Sequence, residues 1–277
     1  MDDPEIAAKP WERLALLLVI GGLAAAGIFS LAPGKKPEAP GPGERGLAEG
    51  ADLPASPAPL ESAEPAGPQT PAVAPAPAPL PARVSHAVPF SPQAPFGNWS
   101  QPYQDACEEA SVAMAMAWVR GEASLPPERA RDEILDAVAF EDYNFGYHRD
   151  TALRETAKLI THLYGYPNIS IAYDISTQDI KRELAVGNIA IVPASGLVLQ
   201  NPHYTVPPAY HMVVVTGYDD AAGAFIVNDP GTKRGAGWRY SYQTLERAIH
   251  DWTGNPQTIL EGRSGMIVVR PVRGLDD

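Results

Sequence analysis

The chain has 277 residues with a formal net charge of -12, and it contains a single cysteine. One cysteine excludes an internal disulfide and any zinc ribbon or finger. The acidic excess is spread along the chain, so no basic stripe exists to neutralise phosphates, which argues against nucleic-acid binding. Fourteen of the thirty prolines lie between Pro33 and Pro81, and the folded part must be what remains.

Residues 1–13 are a short polar head of mixed charge. Leu14 to Ala32 then runs without a charge. At 1.5 Å per residue this is roughly 28 Å, close to a hydrocarbon core of ~30 Å. A cleaved secretory signal is the rival reading, because Ser30-Leu31-Ala32 resembles a small-x-small site. The apolar run is longer than such signals use, and Pro33 would follow the cut. The expectation is one uncleaved transmembrane anchor at 14–32. Lys9 and Arg13 precede it and Lys35 and Lys36 follow, so flanking charge barely codes orientation. The head is too small to be a domain, which places the functional part on the far side, outside the cytoplasm. Residues 33–84 are rich in Pro, Ala, Gly and Glu, with too few aromatic and β-branched residues to offset chain entropy. They read as a disordered linker that reaches up to ~150 Å when extended.

The globular domain is expected over 85–273, long enough for a sizeable core. Its first part reads as helical. Ala110, Met114 and Trp118 recur at helical spacing in Cys107–Arg120, as do Val112, Met116 and Val119. Pro127 opens a helix to Ala139 with Ile134, Leu135 and Val138 as its stripe. A helix over Asp150–Tyr164 takes Asp150 as its N-cap and Gly165 as its stop. Ser176 and Asp179 form a capping box ahead of Ile180 and Leu184. Short β-branched runs follow at Ile189–Ala194, His211–Tyr218, Ala224–Asn228, Trp238–Tyr242 and Met266–Pro271, interrupted by a helix at Tyr242–Trp252. Helices first and a mostly antiparallel sheet second make an α+β pattern.

The six histidines offer no close ligand pair of the HExxH kind, and neither a serine elbow nor a phosphate loop is present. What remains is a cysteine in the first turn of a helix with a histidine about a hundred residues later, the arrangement a thiol nucleophile needs. The helix N-terminus favours the thiolate. Among the histidines, His211 opens an apolar strand after the proline-rich loop Asn201–Tyr210. The next strand ends in Asn228-Asp229-Pro230, and the two should pair as a hairpin. With an odd-length loop His211 shares its face with Asp229 and Asn228 points away; an even loop or a bulge reverses this. Asp229 is taken as the residue that orients the imidazole, with Asn228 in reserve.

Val88-Pro-Phe-Ser-Pro-Gln93-Ala-Pro95, the Cys107-Glu-Glu-Ala-Ser111 helix start, His211-Met-Val-Val-Val-Thr-Gly-Tyr-Asp219 and Phe225-Ile-Val-Asn-Asp-Pro-Gly-Thr232 occur in this order. Together they resemble the cysteine peptidases of the bacteriocin-processing type, peptidase family C thirty-nine, and above all its stand-alone C thirty-nine-like domains. The resemblance spans essentially the whole globular domain. It implies a papain-like fold, with Cys107 as nucleophile, His211 as general base and acid, and Asp229 as third member. The family also binds the oxyanion with a glutamine side chain. Gln93 matches the position after the Val-Pro-aromatic start, Gln101 has the six-residue spacing of papain-like enzymes, and Gln104 fits neither pattern well. They rank in that order.

Many members carry Gly after the nucleophile where this chain has Glu108 and Glu109. Carboxylates there stabilise the first turn, and would oppose the thiolate if turned toward the sulfur. The resemblance implies peptide-bond hydrolysis on a peptide or protein substrate without a metal or other cofactor. A non-catalytic surface binding module, and an amidase or transglutaminase-like acyl transferase, are the alternatives. One span and no nucleotide-binding loop leave no basis for the transporter-fused role of the bacteriocin-processing relatives.

Overall fold

A computed structural model describes residues 79–272. The expected head, the span at 14–32 and the linker through residue 78 lie outside the described residues. Among the described residues, no helix is long and apolar enough to cross a membrane.

The first element is β1 (Arg83–Ser85). The expected linker ran to residue 84, but Arg83 and Val84 pair with Asp219 and Tyr218. Helix α1 (Cys107–Val119) follows, with every residue from Cys107 to Ala117 buried. An all-round apolar sequence suits this position, because α1 packs between α2 (Pro127–Asn144) and the sheet. Helix α3 (Leu153–Lys158) continues into one π-type turn over Leu159–Leu163. Asp150 does not cap it, contrary to expectation. The helix begins three residues later, and the Glu155 carboxylate accepts from the Ala152 N–H at its first turn.

Strand β2 (Ile169–Tyr173), α4 (Thr177–Ala185), β3 (Ile189–Ala194) and the short α5 (Gly196–Leu199) come next. The capping box is present at α4, where Asp179 and Ser176 exchange side-chain to backbone bonds. The chain then runs through β4 (His211–Asp219), β5 (Ala224–Asn228), β6 (Trp238–Ser241), α6 (Tyr242–Ala248) and β7 (Gly265–Val269). The fold is α+β: a seven-stranded sheet in the order β2-β7-β3-β4-β5-β6, with β1 added beside β4. Every pairing is antiparallel. Gly217 is required where β1 joins, since a Cβ there would stand 2.2 Å from the Val84 carbonyl oxygen.

Both faces of the sheet are covered, so its strands read as continuous apolar runs rather than alternating ones. Ile189, Ile191, Met212, Val214 and Ile267 pack under α1 and α3. Ala190, Val192, Val213, Val215, Val227 and Val268 face α4 and α6 on the other side. Burial on both sides sets the strand register firmly, because a one-residue slip would exchange the two faces. The open end of this sheet, where β4 begins, carries the functional residues.

Candidate active site

Helix α1 and strand β4 bring the two central residues together. One turn into α1, the Ser111 hydroxyl donates to the Met212 carbonyl at 3.2 Å, fixing the helix start beside the residue after His211. Cys107 and His211 both line a cleft of about 980 Å³, along with Gln93, Gln104, Asp150 and Tyr204.

The β4–β5 hairpin settles which acid His211 meets. Its connection has four residues, giving Tyr218 opposite Phe225, and a bulge between Val215 and Gly217 then shifts the register so that Val214 faces Asn228. Either feature alone would turn Asp229 away from the His211 face. Both occur, and they cancel. His211 Nε2 lies 2.8 Å from Asp229 Oδ1. Asn228 serves structure instead: its Nδ2 donates to the Val88 carbonyl and its Oδ1 accepts from the Gly237 N–H.

Asp229 is fully buried. Oδ1 also accepts from the Gly231 N–H at 3.0 Å, and Oδ2 accepts from Asn201 Nδ2 at 2.9 Å, Tyr204 Oη at 2.7 Å and Tyr240 Oη at 2.6 Å. Burial alone would raise its pKa. The interaction with His211 and the hydrogen bonds outweigh burial and hold the carboxyl at about 2. A permanent carboxylate accepts, so Nε2 carries the imidazole proton and Nδ1 is left for a partner in the cleft. Tyr204 stands edge-on to the imidazole with ring centroids 5.6 Å apart. A Cβ on Gly231 would meet both rings at 2.9 Å, so only glycine lets the chain pass this close.

The sulfur has a different neighbour. Cys107 is almost fully buried, and its Sγ donates to Glu108 Oε2 at 3.0 Å rather than to His211. Burial, followed by the charge and hydrogen bond of Glu108, pushes the thiol well above its usual pKa. The resting thiol is protonated. Behind it lies a buried acidic cluster. Glu108 Oε1 accepts from the Thr151 N–H at 2.8 Å, while Glu109 and Glu141 have no donor facing any carboxyl oxygen. Burial and mutual repulsion raise the pKa of all three. As carboxylates Glu109 and Glu141 would be unsatisfied; holding a proton between them, one donates to the other.

The glutamines part company. Gln93 lines the cleft, yet its amide nitrogen spends both protons on the Tyr103 and Gln104 carbonyls, at 3.0 and 2.8 Å. The free oxyanion donor expected of Gln93 is therefore absent at rest, because two closely placed backbone acceptors satisfy it. Gln101 points to Asp105 at 2.6 Å on the surface. Gln104 is exposed at the cleft wall. Asn201, Tyr204, Tyr240 and Asp150 are site residues that sequence reasoning missed. The first three converge on Asp229 from a loop and from β6, and no local spacing announces such a convergence. Among the described residues, no group of three His, Cys, Asp or Glu side chains is arranged to hold a metal ion.

A search of curated proteins finds no match. Solved structures similar to it include a C39-like peptidase from Bacillus anthracis, at 14% identity and a TM-score of 0.44, covering 69% of this chain and 99% of that one, and xylellain, a cysteine protease from Xylella fastidiosa, at 16% identity and a TM-score of 0.44, covering 70% and 87%. Residues 86–257 match the profile of the Peptidase_C39 like family. Over most of its length the chain thus carries that family's pattern; it belongs to the Peptidase_C39 like family and is a cysteine peptidase.

Proposed function

We propose that the protein is a papain-like, membrane-anchored peptidase, tethered through residues 14–32, whose domain hydrolyses peptide bonds outside the cytoplasm. The observation that carries the catalytic part is the meeting of Cys107 and His211 on one cleft, with Asp229 hydrogen-bonded to the far nitrogen of His211. The anchor and the side of the membrane rest on the uncharged run Leu14–Ala32 alone.

The mechanism is acyl transfer. Substrate entry turns the Cys107 sulfur from Glu108 toward His211 Nδ1, which takes the proton. Thiolate attacks the peptide carbonyl carbon, and the carbonyl π electrons move to oxygen. The Cys107 N–H, one of the first-turn donors without an intrahelical acceptor, binds that oxyanion. Gln93 supplies the second donor by exchanging its bond to the Gln104 carbonyl for one to the oxyanion. Such donors are worth roughly 3–4 kcal/mol each in other enzymes. His211 protonates the leaving amine as the C–N bond breaks, and Asp229 holds the imidazolium in place meanwhile. Water, deprotonated by His211, then releases the acyl group from sulfur.

Profiling a peptide library with the full-length wild type and Cys107→Ala tests this reading. Hydrolysed peptides from the wild type and none from the variant are expected. Transfer of the acyl group to an added amine in preference to water would instead make the protein a transferase.

A further inference from the structure

We infer that Asp150 is the cation-recognising residue of the cleft: its carboxylate accepts the positive charge of a peptide substrate, a Lys or Arg side chain or a free α-amino group, beside the bond presented to Cys107. This deepens the peptidase reading and rests on it.

Asp150 lines the same cleft as Cys107 and is half-buried there. Its neighbour Thr151 is fastened on two sides, with its N–H donating to Glu108 Oε1 at 2.8 Å and its carbonyl accepting from Tyr210 Oη at 2.9 Å. These bonds tie the segment to the start of α1 and to the residue before His211. Between them Asp150 is held at a φ of 50°, the left-handed region. Side chains other than glycine pay for that conformation, and Asp is one of the few that tolerate it. The backbone thus holds Asp150 in the cleft wall.

Nothing among the described residues satisfies it there. The nearby cation, Arg149, lies 3.3 Å from Asp105 Oδ2, and Asp105 also receives the Gln101 amide. Asp105 is paired with Arg149, whereas Asp150 has neither ion pair nor side-chain hydrogen bond among the described residues. Its immediate surroundings are acidic or neutral, Asp105, Glu108, the Cys107 thiol and Tyr210, with Arg149 as an opposing charge. Burial, and after it Asp105, push its carboxyl up to about 6, strain that an incoming cation relieves. The turn after Asp229 carries Lys233 and Arg234 into the same cleft, neither paired with an acid among the described residues. A positive group is repelled there and drawn to Asp150.

The test is binding to the full-length Cys107→Ala chain, read by fluorescence anisotropy. Peptides of one scaffold carry Lys, Arg or norleucine at successive positions, each with a free or acetylated N-terminus. A preference for the cationic peptides is expected. In a Cys107→Ala/Asp150→Asn chain that preference should fall by about ten- to a hundredfold, the range of a charge-assisted hydrogen bond. Asn keeps the tolerance for left-handed backbone, so charge is removed and the turn retained. Asp150→Lys should turn the preference toward Glu-containing peptides. Preference that survives acetylation identifies a side chain; preference lost on acetylation identifies the α-amine; both support the proposal. Equal affinity for Lys and norleucine peptides whether the N-terminus is free or acetylated, binding of none, or a preference untouched by both substitutions overturns it. Wild-type chain that cleaves none of the peptides, beside Asp150-dependent binding, would refute the peptidase reading and leave this one standing.

Discussion

Two buried acidic centres flank the cleft, and they are built in opposite ways. Asp229 is surrounded by five donors and stays charged. Glu109 and Glu141, behind the nucleophile, have no donor but each other, and they keep a proton. Burial acts on both in the same direction, raising the pKa. The number of donors decides the outcome. An anion is thereby fixed where an imidazolium must be stabilised, while the Glu109–Glu141 pair, by keeping a proton, adds less negative charge behind the helix start than two carboxylates would.

The largest effect is expected at the charged centre. Asp229→Asn should lower kcat about a hundred- to ten-thousandfold with the fold intact, as loss of the orienting carboxylate does in other triads. Retention of most of the activity would mean that the five donors serve stability only.

Next in size are the opposite pH responses. The Glu109–Glu141 pair binds its proton more tightly folded than unfolded. Its contribution is complete below the ordinary value of 4.5 and is lost as pH rises through the raised value. Asp229 contributes above its ordinary value of 3.8, and that contribution is lost as pH falls toward about 2. Glu141→Gln should therefore flatten the loss of stability on the alkaline side by about 1–3 kcal/mol and leave the acid side unchanged. Thermal denaturation across pH measures this, and an unchanged alkaline limb would contradict the assignment.

Much of the first centre was legible in the sequence, and little of the second. His211 stood out as a polar residue opening an apolar strand, and Asp229 as an acid closing its hairpin neighbour. Their shared face could be stated only conditionally, because loop length and a bulge each reverse parity and a sequence specifies neither. Glu108 and Glu109 were read as first-turn carboxylates. Their full burial was hidden because Glu141 and Thr151 reach them from elements distant in the chain. Asp150 looked like an N-cap by its place before an apolar run. The left-handed backbone that turns it into the cleft arises from tertiary bonds to Thr151. Strand β2 was missed, its five residues being short and only half-buried.

Smaller effects separate individual donors. Tyr240→Phe removes one of five bonds to Asp229 and should cost about 1 kcal/mol of stability, with kcat lowered only a few-fold. Glu108→Gln keeps the acceptor for the Thr151 N–H and removes the charge beside the sulfur. The pH midpoint for alkylation of Cys107 should fall, and the rate at neutral pH should rise a few-fold.

The central claim is that His211, held by Asp229, activates Cys107. The rate of alkylation of the single thiol by iodoacetamide across pH, in the full-length wild type and in His211→Ala, tests it most directly. The account predicts that the folded variant labels at least about tenfold more slowly at neutral pH, its rate rising only toward alkaline pH as an unassisted buried thiol does. Equal rate profiles in the two proteins would contradict it.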